Sequence, residues 1–358
     1  MTSRTLALLL LGLAAAATLR PYAVAALRRE TAAPQILKSA TEVVTVDAQV
    51  LEKKTGRPVD SLMRGDLEVY EDGTRQQLTY FSQDTLPLSV VLLFDLTDSV
   101  RPVLKQLANG ALDALQHLKP EDEVAVMVYA ASAQLLQDFT TDRTLAVAAI
   151  RRASEMKSKE AAFFNEGVFQ ASAEATKTKI PNSRRVIIWL TDNVPNFPSE
   201  EIRQRYGKSI AAGSLHTEKD AMRELFDTDT SVTALLERSA LSDFSTATIN
   251  DNPLFAPVRS MYPPGDVYKY ADETGGQVMK AGRAEVSGKL ANLIGAIRTR
   301  YTLAYVANVN RPDGHFCTIK LKLTPGLEKR EEKLVIRAKR GYYRHQGATQ
   351  TASSPPAL

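Results

Sequence analysis

The sequence predicts an α/β fold: a doubly wound, mostly parallel, Rossmann-like sheet with a small flanking β-sandwich. Apolar runs at 88–94, 124–130 and 186–190 are typical of strands that are covered on both faces. Segments with helical spacing of apolar residues separate these runs, which is the alternation of a parallel sheet wound on both faces. Short β-type segments at 41–85 and 301–344 flank this region, and we expect them to form one sandwich together.

The N-terminal flank has the pattern of an antiparallel β unit. Alternating apolar residues predict a strand at 43–50, and a second strand is expected at 67–70. Asp72-Gly73 is a strong hairpin signal, so we expect the chain to return as a strand at 78–81. In the C-terminal flank, three strands are predicted at 301–306, 317–323 and 334–338.

The central region, 86–300, contains the remaining predicted elements. Five amphipathic segments are predicted to be helices, at 103–118, 145–156, 161–176, 266–274 and 285–299. A short segment at 135–139 is expected to be an antiparallel edge strand, and 277–280 the last core strand. A polar insertion at 193–231 interrupts the pattern, and we expect a helix over 232–240 and a strand over 244–249 after it.

The first 26 residues have the length and flanks of a secretory signal peptide. Their apolar block, 6–18, is shorter than the roughly 20 residues that a membrane span needs. We therefore expect residues 1–26 to be removed, residues 27–40 to be a linker, and the protein to be secreted or held in the periplasm or cell envelope. An uncleaved N-terminal anchor is the alternative, and a membrane partner is expected only in that case.

Composition argues against a nucleic-acid-binding protein, an intrachain disulfide and a zinc site built from histidines. The formal net charge of +4 over 358 residues is too balanced for a nucleic-acid partner. Cys317 is the only cysteine, so an intrachain disulfide is excluded, and we expect it to be a small buried side chain. The four histidines lack zinc-type spacing and are expected at the surface. The tail, 345–358, has a composition typical of disorder.

Two of the predicted core strands end in acid and hydroxyl side chains. The first is followed by Asp95, Thr97 and Ser99, in the pattern Asp-x-Thr-x-Ser, and the other by Asp192. In open parallel sheets, ligands bind beyond the carboxyl ends of the strands. Because carboxylate and hydroxyl oxygens are hard ligands, the cluster suits Mg²⁺.

A purely structural interpretation of the same residues stays open. Asp98 or Ser99 could cap the helix that follows, and Asp192 could accept backbone N–H groups in a tight turn. Both roles can coexist, since capping groups and metal ligands would use the same loop.

The two loops resemble the metal-ion-dependent adhesion site of the von Willebrand factor A domain. That site uses an Asp-x-Ser-x-Ser loop, a separate Thr and a separate Asp. Asp95, Thr97 and Ser99 match the first loop, and Asp192 matches the third. Four further segments resemble the acidobacterial VWFA-related family, namely 64–73, 273–276, 301–305 and 340–343. The resemblance implies that 86–300 is a von Willebrand A-type domain.

The middle loop departs from the family pattern, which is Gly-Gly-Thr before a helix. The corresponding segment here is 160–166, and Ala162 falls at the position of the Thr hydroxyl. Glu166 stands where the family usually has Asp, and Asp98 replaces the small Gly of the first loop. Asp98 and Glu166 are therefore candidate auxiliary ligands.

The resemblance implies an exported binding or adhesion protein rather than an enzyme. The site would bind Mg²⁺, or Mn²⁺ or Ca²⁺ in its place. A carboxylate of a protein or surface-glycan partner would complete the coordination of the ion. Two alternatives are a scaffold module with an inactive metal site and a metal-assisted hydrolase with Asp98 or Glu166 as base. The insertion 193–231 begins next to Asp192, so we expect it to shape access to the site.

Overall fold

A computed structural model of the chain describes residues 42–83, 86–158, 162–193, 216–237, 266–307, 311–330 and 334–345. The predicted signal peptide and linker, the strand expected at 244–249 and nearly all of the predicted tail lie outside these residues. Most of the insertion that follows Asp192 also lies outside them. Within the described ranges, no helix is both long enough and apolar enough to cross a membrane.

Fourteen strands fall in three sheets within the described part of the chain. In chain order they are β1 (Val43–Glu52), β2 (Leu67–Glu71), β3 (Thr74–Gln76), β4 (Leu78–Gln83), β5 (Leu88–Asp95), β6 (Glu123–Tyr129), β7 (Ala133–Thr140), β8 (Arg184–Thr191), β9 (Thr230–Glu237), β10 (Val278–Ala281), β11 (Tyr301–Val306), β12 (Phe316–Leu323), β13 (Leu334–Ala338) and β14 (Gly341–Tyr343). The α-helices described are α1 (Arg101–Leu115), α2 (Arg143–Glu155), α3 (Phe164–Ala175), α4 (Glu218–Asp227), α5 (Val267–Thr274), α6 (Val286–Arg298) and α7 (Pro325–Arg330).

The central sheet has six strands in the order β10-β9-β8-β5-β6-β7. All neighbouring strands are parallel except β7, which runs antiparallel to β6 at the edge. The predicted edge strand at 135–139 is therefore present. β5 lies between β8 and β6, so the ends of three neighbouring strands meet where Asp95 emerges.

Successive residues of β5 pack into opposite layers, because side chains alternate across a sheet. Leu92 belongs to an apolar cluster with α1, α2 and α6, whereas Leu93 packs with α3, α4 and α5 on the other face. Every residue of β5, β6 and β8 is buried except Arg185 in β8, which is half-buried. The doubly wound α/β fold predicted from the apolar runs is confirmed.

The two flanks also come together as predicted. One flanking sheet has the order β13-β1-β11-β4 and the other β14-β12-β2-β3, so each combines strands from before and after the central region. Their facing side chains form one apolar cluster that includes Val46, Val69 and Cys317.

The predicted helix at 232–240 is wrong, because residues Thr230–Glu237 form strand β9. β9 is buried on both faces, with Val232 and Leu235 in different layers. In a short segment whose residues are nearly all apolar, the spacing of apolar residues does not distinguish a strand from a helix. The β-branched residues Thr230 and Thr233 were the local sign of a strand.

The return strand of the predicted hairpin is also different. Asp72 and Gly73 have φ of 46° and 80°, as in a two-residue turn, so the chain pairs back immediately as β3. The segment predicted as the return, 78–81, lies in β4 and pairs with β11 in the other flanking sheet.

An ion pair between a buried arginine and a half-buried aspartate joins the sandwich to the central sheet. Arg184 at the start of β8 donates from Nε to Asp47 Oδ2 of β1 at 2.6 Å. Thr302 donates to the other carboxylate oxygen at 3.0 Å. Burial alone would raise the pKa of Asp47, but the charge and hydrogen bond of Arg184 outweigh it and hold the pKa below 3.8.

Candidate metal centre

The first loop leaves β5 at Asp95 and enters α1 at Arg101. Backbone N–H groups of Val100 and Arg101 donate to Thr97 O at 3.2 Å, which closes the loop into the start of the helix. The N-cap residue is Val100, and no side chain makes a capping hydrogen bond there. Neither Asp98 nor Ser99 therefore serves as the side-chain cap that the structural interpretation required.

The four side chains predicted as ligands converge on one point. Thr97 N donates to Asp95 Oδ1 at 2.8 Å, and the hydroxyls of Thr97 and Ser99 are 3.2 Å apart. The Ser99 hydroxyl donates to Asp192 Oδ2, which links the loop after β5 to the loop after β8. Two carboxylates and two hydroxyls from separate loops thus form one connected cluster.

Asp95 is fully buried, with no exposed surface, and Asp192 is 2% exposed. Burial raises the pKa of Asp95, and the negative charge of Asp192 raises it further, to about 7. Hydrogen bonds from Thr97 and Tyr129 favour the ionised carboxylate but do not offset these effects. Ionising both carboxyl groups therefore costs free energy in the absence of a cation. A bound cation would offset that cost.

Two residues that sequence reasoning missed orient Asp95. The Tyr129 hydroxyl donates to Asp95 Oδ2 at 3.0 Å and accepts from Trp189 Nε1 at 3.0 Å. The Thr191 hydroxyl lies 3.4 Å from the same carboxylate oxygen. Tyr129 is the one residue with a polar tip in the apolar run 124–130, next to its end, and that was the signal that could have found it.

The loop after β8 is held by its own turn. Asn193 has a φ of 55°, in the left-handed region that Asn tolerates. Its backbone N–H donates to Thr191 Oγ1 at 3.1 Å, and its side-chain Oδ1 accepts from Val267 N at 3.1 Å. These bonds tie the residues on both sides of Asp192 to β8 and to the start of α5.

In the middle loop, an apolar residue stands where the family pattern has a Thr hydroxyl. Ala162 is buried and packs in the apolar cluster with Tyr129 and Phe164. Phe163 N donates to Ala130 O at 2.9 Å, which ties this loop to the end of β6. Residue 162 thus supplies a methyl group to the core, and the oxygen donors come from the other two loops.

The two candidate auxiliary residues have other partners. The Asp98 side chain is 80% exposed and pairs with Arg101. Glu166 accepts from Gln170 at 2.9 Å and lies 2.8 Å from the His216 ring, which itself stacks on Phe169. His216 is thus half-buried rather than a free surface histidine.

The donor set fits a hard divalent ion. It consists entirely of carboxylate and hydroxyl oxygens, which is the ligand chemistry of Mg²⁺. Within the described part of the chain, the hydrogen-bond donors to Asp95 are all neutral groups. The residues present therefore match such an ion in ligand type and in charge.

Residues 90–194 match the family model of the von Willebrand factor type A domain. The chain contains a von Willebrand factor type A domain. The matched part of this A domain runs from β5 to the loop after β8 and so includes all four converging residues. The narrower resemblance to the acidobacterial family remains a prediction.

Several solved structures are similar to the chain in fold. BatB from Bacteroides thetaiotaomicron is 13% identical over 59% of this chain and 98% of its own, with a TM-score of 0.39. A von Willebrand factor type A protein from Catenulispora acidiphila is 10% identical over 87% of this chain and 76% of its own, with a TM-score of 0.40. Identities this low carry no information about ligands. No curated protein matches the sequence significantly.

Proposed function

We propose that the A domain binds a divalent cation, Mg²⁺ first, through Asp95, Thr97, Ser99 and Asp192. The observation that carries this proposal is the joining of two buried carboxylates, from two adjacent strands, by a pair of hydroxyls. Burial, and then the charge of Asp192, raise the pKa of Asp95 to about 7, so this carboxyl would be stabilised in its ionised form by a nearby positive charge. Mn²⁺ and Ca²⁺ are the next candidates for the same oxygens.

The chain's own residues prepare the site for this role. Tyr129 and Thr191 orient Asp95 by donating to Oδ2, and Thr97 N holds Oδ1. Ser99 holds Asp192 toward the first loop. The bound ion would supply an electrophilic centre that accepts a carboxylate from a partner. We therefore propose that the ligand is a protein or a surface glycan that carries such a group.

The place of action that we propose is outside the cytoplasm, in the cell envelope or secreted. The support is the apolar block near the N-terminus, whose length and flanks are typical of a signal peptide. The insertion 193–231 is proposed to shape access to the metal, because it starts directly after Asp192.

A scaffold role without metal is the second candidate. One observation in its favour is Ala162, whose methyl group offers no ligand atom. The other is the raised pKa of Asp95, because a protonated carboxyl needs no cation to balance its charge. In that case the A domain would present surfaces to partners independently of ions.

Metal titration separates the two candidates. We expect Mg²⁺ or Mn²⁺ to bind the wild-type protein in isothermal titration calorimetry with one ion per chain. Asp95→Asn and Asp192→Asn should abolish that binding, since each keeps the shape of the side chain and removes its charge. Asp98→Asn is the matched control, because this exposed acid of the same loop pairs with Arg101. Absence of binding by the wild type would favour the scaffold.

The partner step has its own experiment. Immobilised wild-type protein should retain envelope proteins or glycans with Mg²⁺ and release them with a chelator. Asp98→Asn should retain the same set, and Asp95→Asn should not. Capture that is equal with and without chelator would contradict a metal-dependent partner.

A further inference from the structure

A second group of metal-ligating side chains lies in the sandwich, outside the A-domain site. Asp72 is in the turn between β2 and β3, His315 precedes β12, and Cys317 is in β12. One ligand atom from each of the three lies within 4.8 Å of the others. The β-strand pairing of β12 with β2 brings these residues together across more than 240 positions of the chain.

The carboxylate of Asp72 is already held in a defined orientation. Its Oδ1 accepts from the backbone N–H of Thr318 at 2.9 Å and from the Thr318 hydroxyl at 3.1 Å. Its Oδ2 lies 3.1 Å from Nε2 of His315. One oxygen is thus fixed by β12, and the other faces the imidazole.

The thiol of Cys317 adds a soft donor to this pair. Cys317 is fully buried and lies opposite Tyr342 of β14 in the strand register. Burial raises the pKa of this thiol, so binding of a metal ion would release its proton. As the chain has a single cysteine, this sulfur is not consumed by an intrachain disulfide.

We propose that Asp72, His315 and Cys317 bind one zinc-class ion, Zn²⁺ first. Thiolate, imidazole and carboxylate are the three side-chain ligands that zinc uses, and a site with three protein ligands leaves a fourth position for water. In a tetrahedral site with bonds of about 2.0–2.3 Å, the ligand atoms are about 3.5 Å apart. The three ligand atoms lie within 4.8 Å of one another, so they need to approach by about 1.3 Å at most, and those of His315 and Asp72 are already 3.1 Å apart.

Arg311 is the group that the ion would replace. Its Nε lies 3.2 Å from Asp72 Oδ2, and its side chain is 41% exposed. An exposed guanidinium can move into solvent at little cost, because surface ion pairs are weak. The His315 side chain is 35% exposed, so the cluster is open to solvent on this side and an ion can enter.

Cobalt substitution tests the assignment with a signal that only a thiolate ligand produces. We expect the full-length protein to bind one Co²⁺, with the absorption band of thiolate-to-cobalt charge transfer, and Zn²⁺ to displace it. Cys317→Ser should lose the band. His315→Gln and Asp72→Asn should weaken binding at least tenfold, and Asn suits the positive φ of residue 72.

Matched controls separate this site from other metal-binding groups. His345→Gln should leave the band unchanged, because His345 pairs with Asp227 at 3.0 Å in the same manner as His315 with Asp72 but without the cysteine. Asp95→Asn should also leave it unchanged, so failure of the A-domain metal would not affect the outcome.

Two results would overturn the proposal. One is a wild-type protein that binds Co²⁺ without the charge-transfer band. The other is a band that survives both His315→Gln and Asp72→Asn. The side chains of His315 and Asp72 are partly exposed, at 35% and 17%, so these two variants remain informative even if Cys317→Ser does not fold.

Discussion

Tyr129 and Asp95 lie opposite each other on the parallel strands β6 and β5, and the Tyr129 hydroxyl donates to Asp95 Oδ2 at 3.0 Å. Trp189 donates to that same hydroxyl from β8 at 3.0 Å. Three neighbouring strands therefore fix the direction of one carboxylate. In the candidate metal centre, the orientation of Asp95 is thus set by the core of the sheet and not by a loop alone.

Tyr129→Phe should destabilise the protein by about 1–3 kcal/mol, because the buried Trp189 N–H and Asp95 carboxylate would each lose a partner. The pKa of Asp95 should rise further, since the lost hydrogen bond favours the ionised form. Urea unfolding measures the first effect, and weaker Mg²⁺ binding at neutral pH reports the second.

Tyr268→Phe is the control for this substitution, since Tyr268 is 43% exposed. It should change stability by less than about 0.5 kcal/mol. Equal effects of the two substitutions would contradict the orienting role of the Tyr129 hydroxyl.

The metal-free protein should lose stability as the pH rises from about 4 to about 7. The pKa of Asp95 is raised from 3.8 to about 7 in the folded protein, so in this window the folded state binds more protons than the unfolded state. The loss from this group is at most on the order of 4 kcal/mol. Denaturant unfolding in chelator, at several pH values, measures it.

Two comparisons test whether Asp95 causes this dependence of stability on pH. Asp95→Asn has no titrating carboxyl at residue 95, so its stability should be flatter over the same window. Saturating Mg²⁺ should also reduce the slope in the wild type, because the ion stabilises the ionised form. A wild-type stability that increases from pH 4 to pH 7 as steeply as that of Asp95→Asn would refute this account.

Asp47→Asn should destabilise the protein by about 3 kcal/mol, because Arg184 is buried and would lose its charged partner. The pKa of Asp47 is lowered, so the stabilisation it provides is present above 3.8 and lost as the pH falls through the folded-state value. Thermal unfolding at pH 7 and at pH 3 should therefore show a smaller difference between wild type and variant at the lower pH.

Asp138→Asn is the surface counterpart of this substitution. Asp138 pairs with Lys179 at 3.1 Å, and both side chains are more than half exposed. It should cost less than about 1 kcal/mol. If the two substitutions cost the same at pH 7, the contact between the sandwich and the central sheet does not depend on the pair of Asp47 and Arg184.

Gly167→Ala should destabilise the protein by about 1–3 kcal/mol, because a Cβ at this position would lie 2.7 Å from the Tyr129 ring. Displacement of the ring should also weaken metal binding through Asp95. Gly288→Ala is the matched change in another helix, where a Cβ has nothing within 4 Å. It should be neutral or stabilising by up to about 1 kcal/mol. Loss of stability in both variants would show that the cost is not a clash with Tyr129.

The site could be located from the sequence because its signals are local. The apolar run before Asp95 predicts a buried strand, and an acid at the end of such a strand predicts the ligand-binding edge of the sheet. The same reasoning applies to Asp192. The contact between Asp98 and Arg101 and the partners of Glu166 could not be inferred, since they depend on rotamers and on His216 in a distant segment.

The sequence by itself determined the alternation of strands and helices, the two flanking β segments and the four oxygen-bearing side chains of the candidate metal centre. Each of these predictions is built from local signals of about ten consecutive residues, either a period of apolar residues or the abrupt end of an apolar run. Tertiary structure alone decided that β6 lies beside β5, which places Tyr129 on Asp95. It also decided that Asp72 meets His315 and Cys317. The physical reason is that strand order and cross-strand contacts depend on which distant apolar surfaces pack together, and no local pattern records that choice.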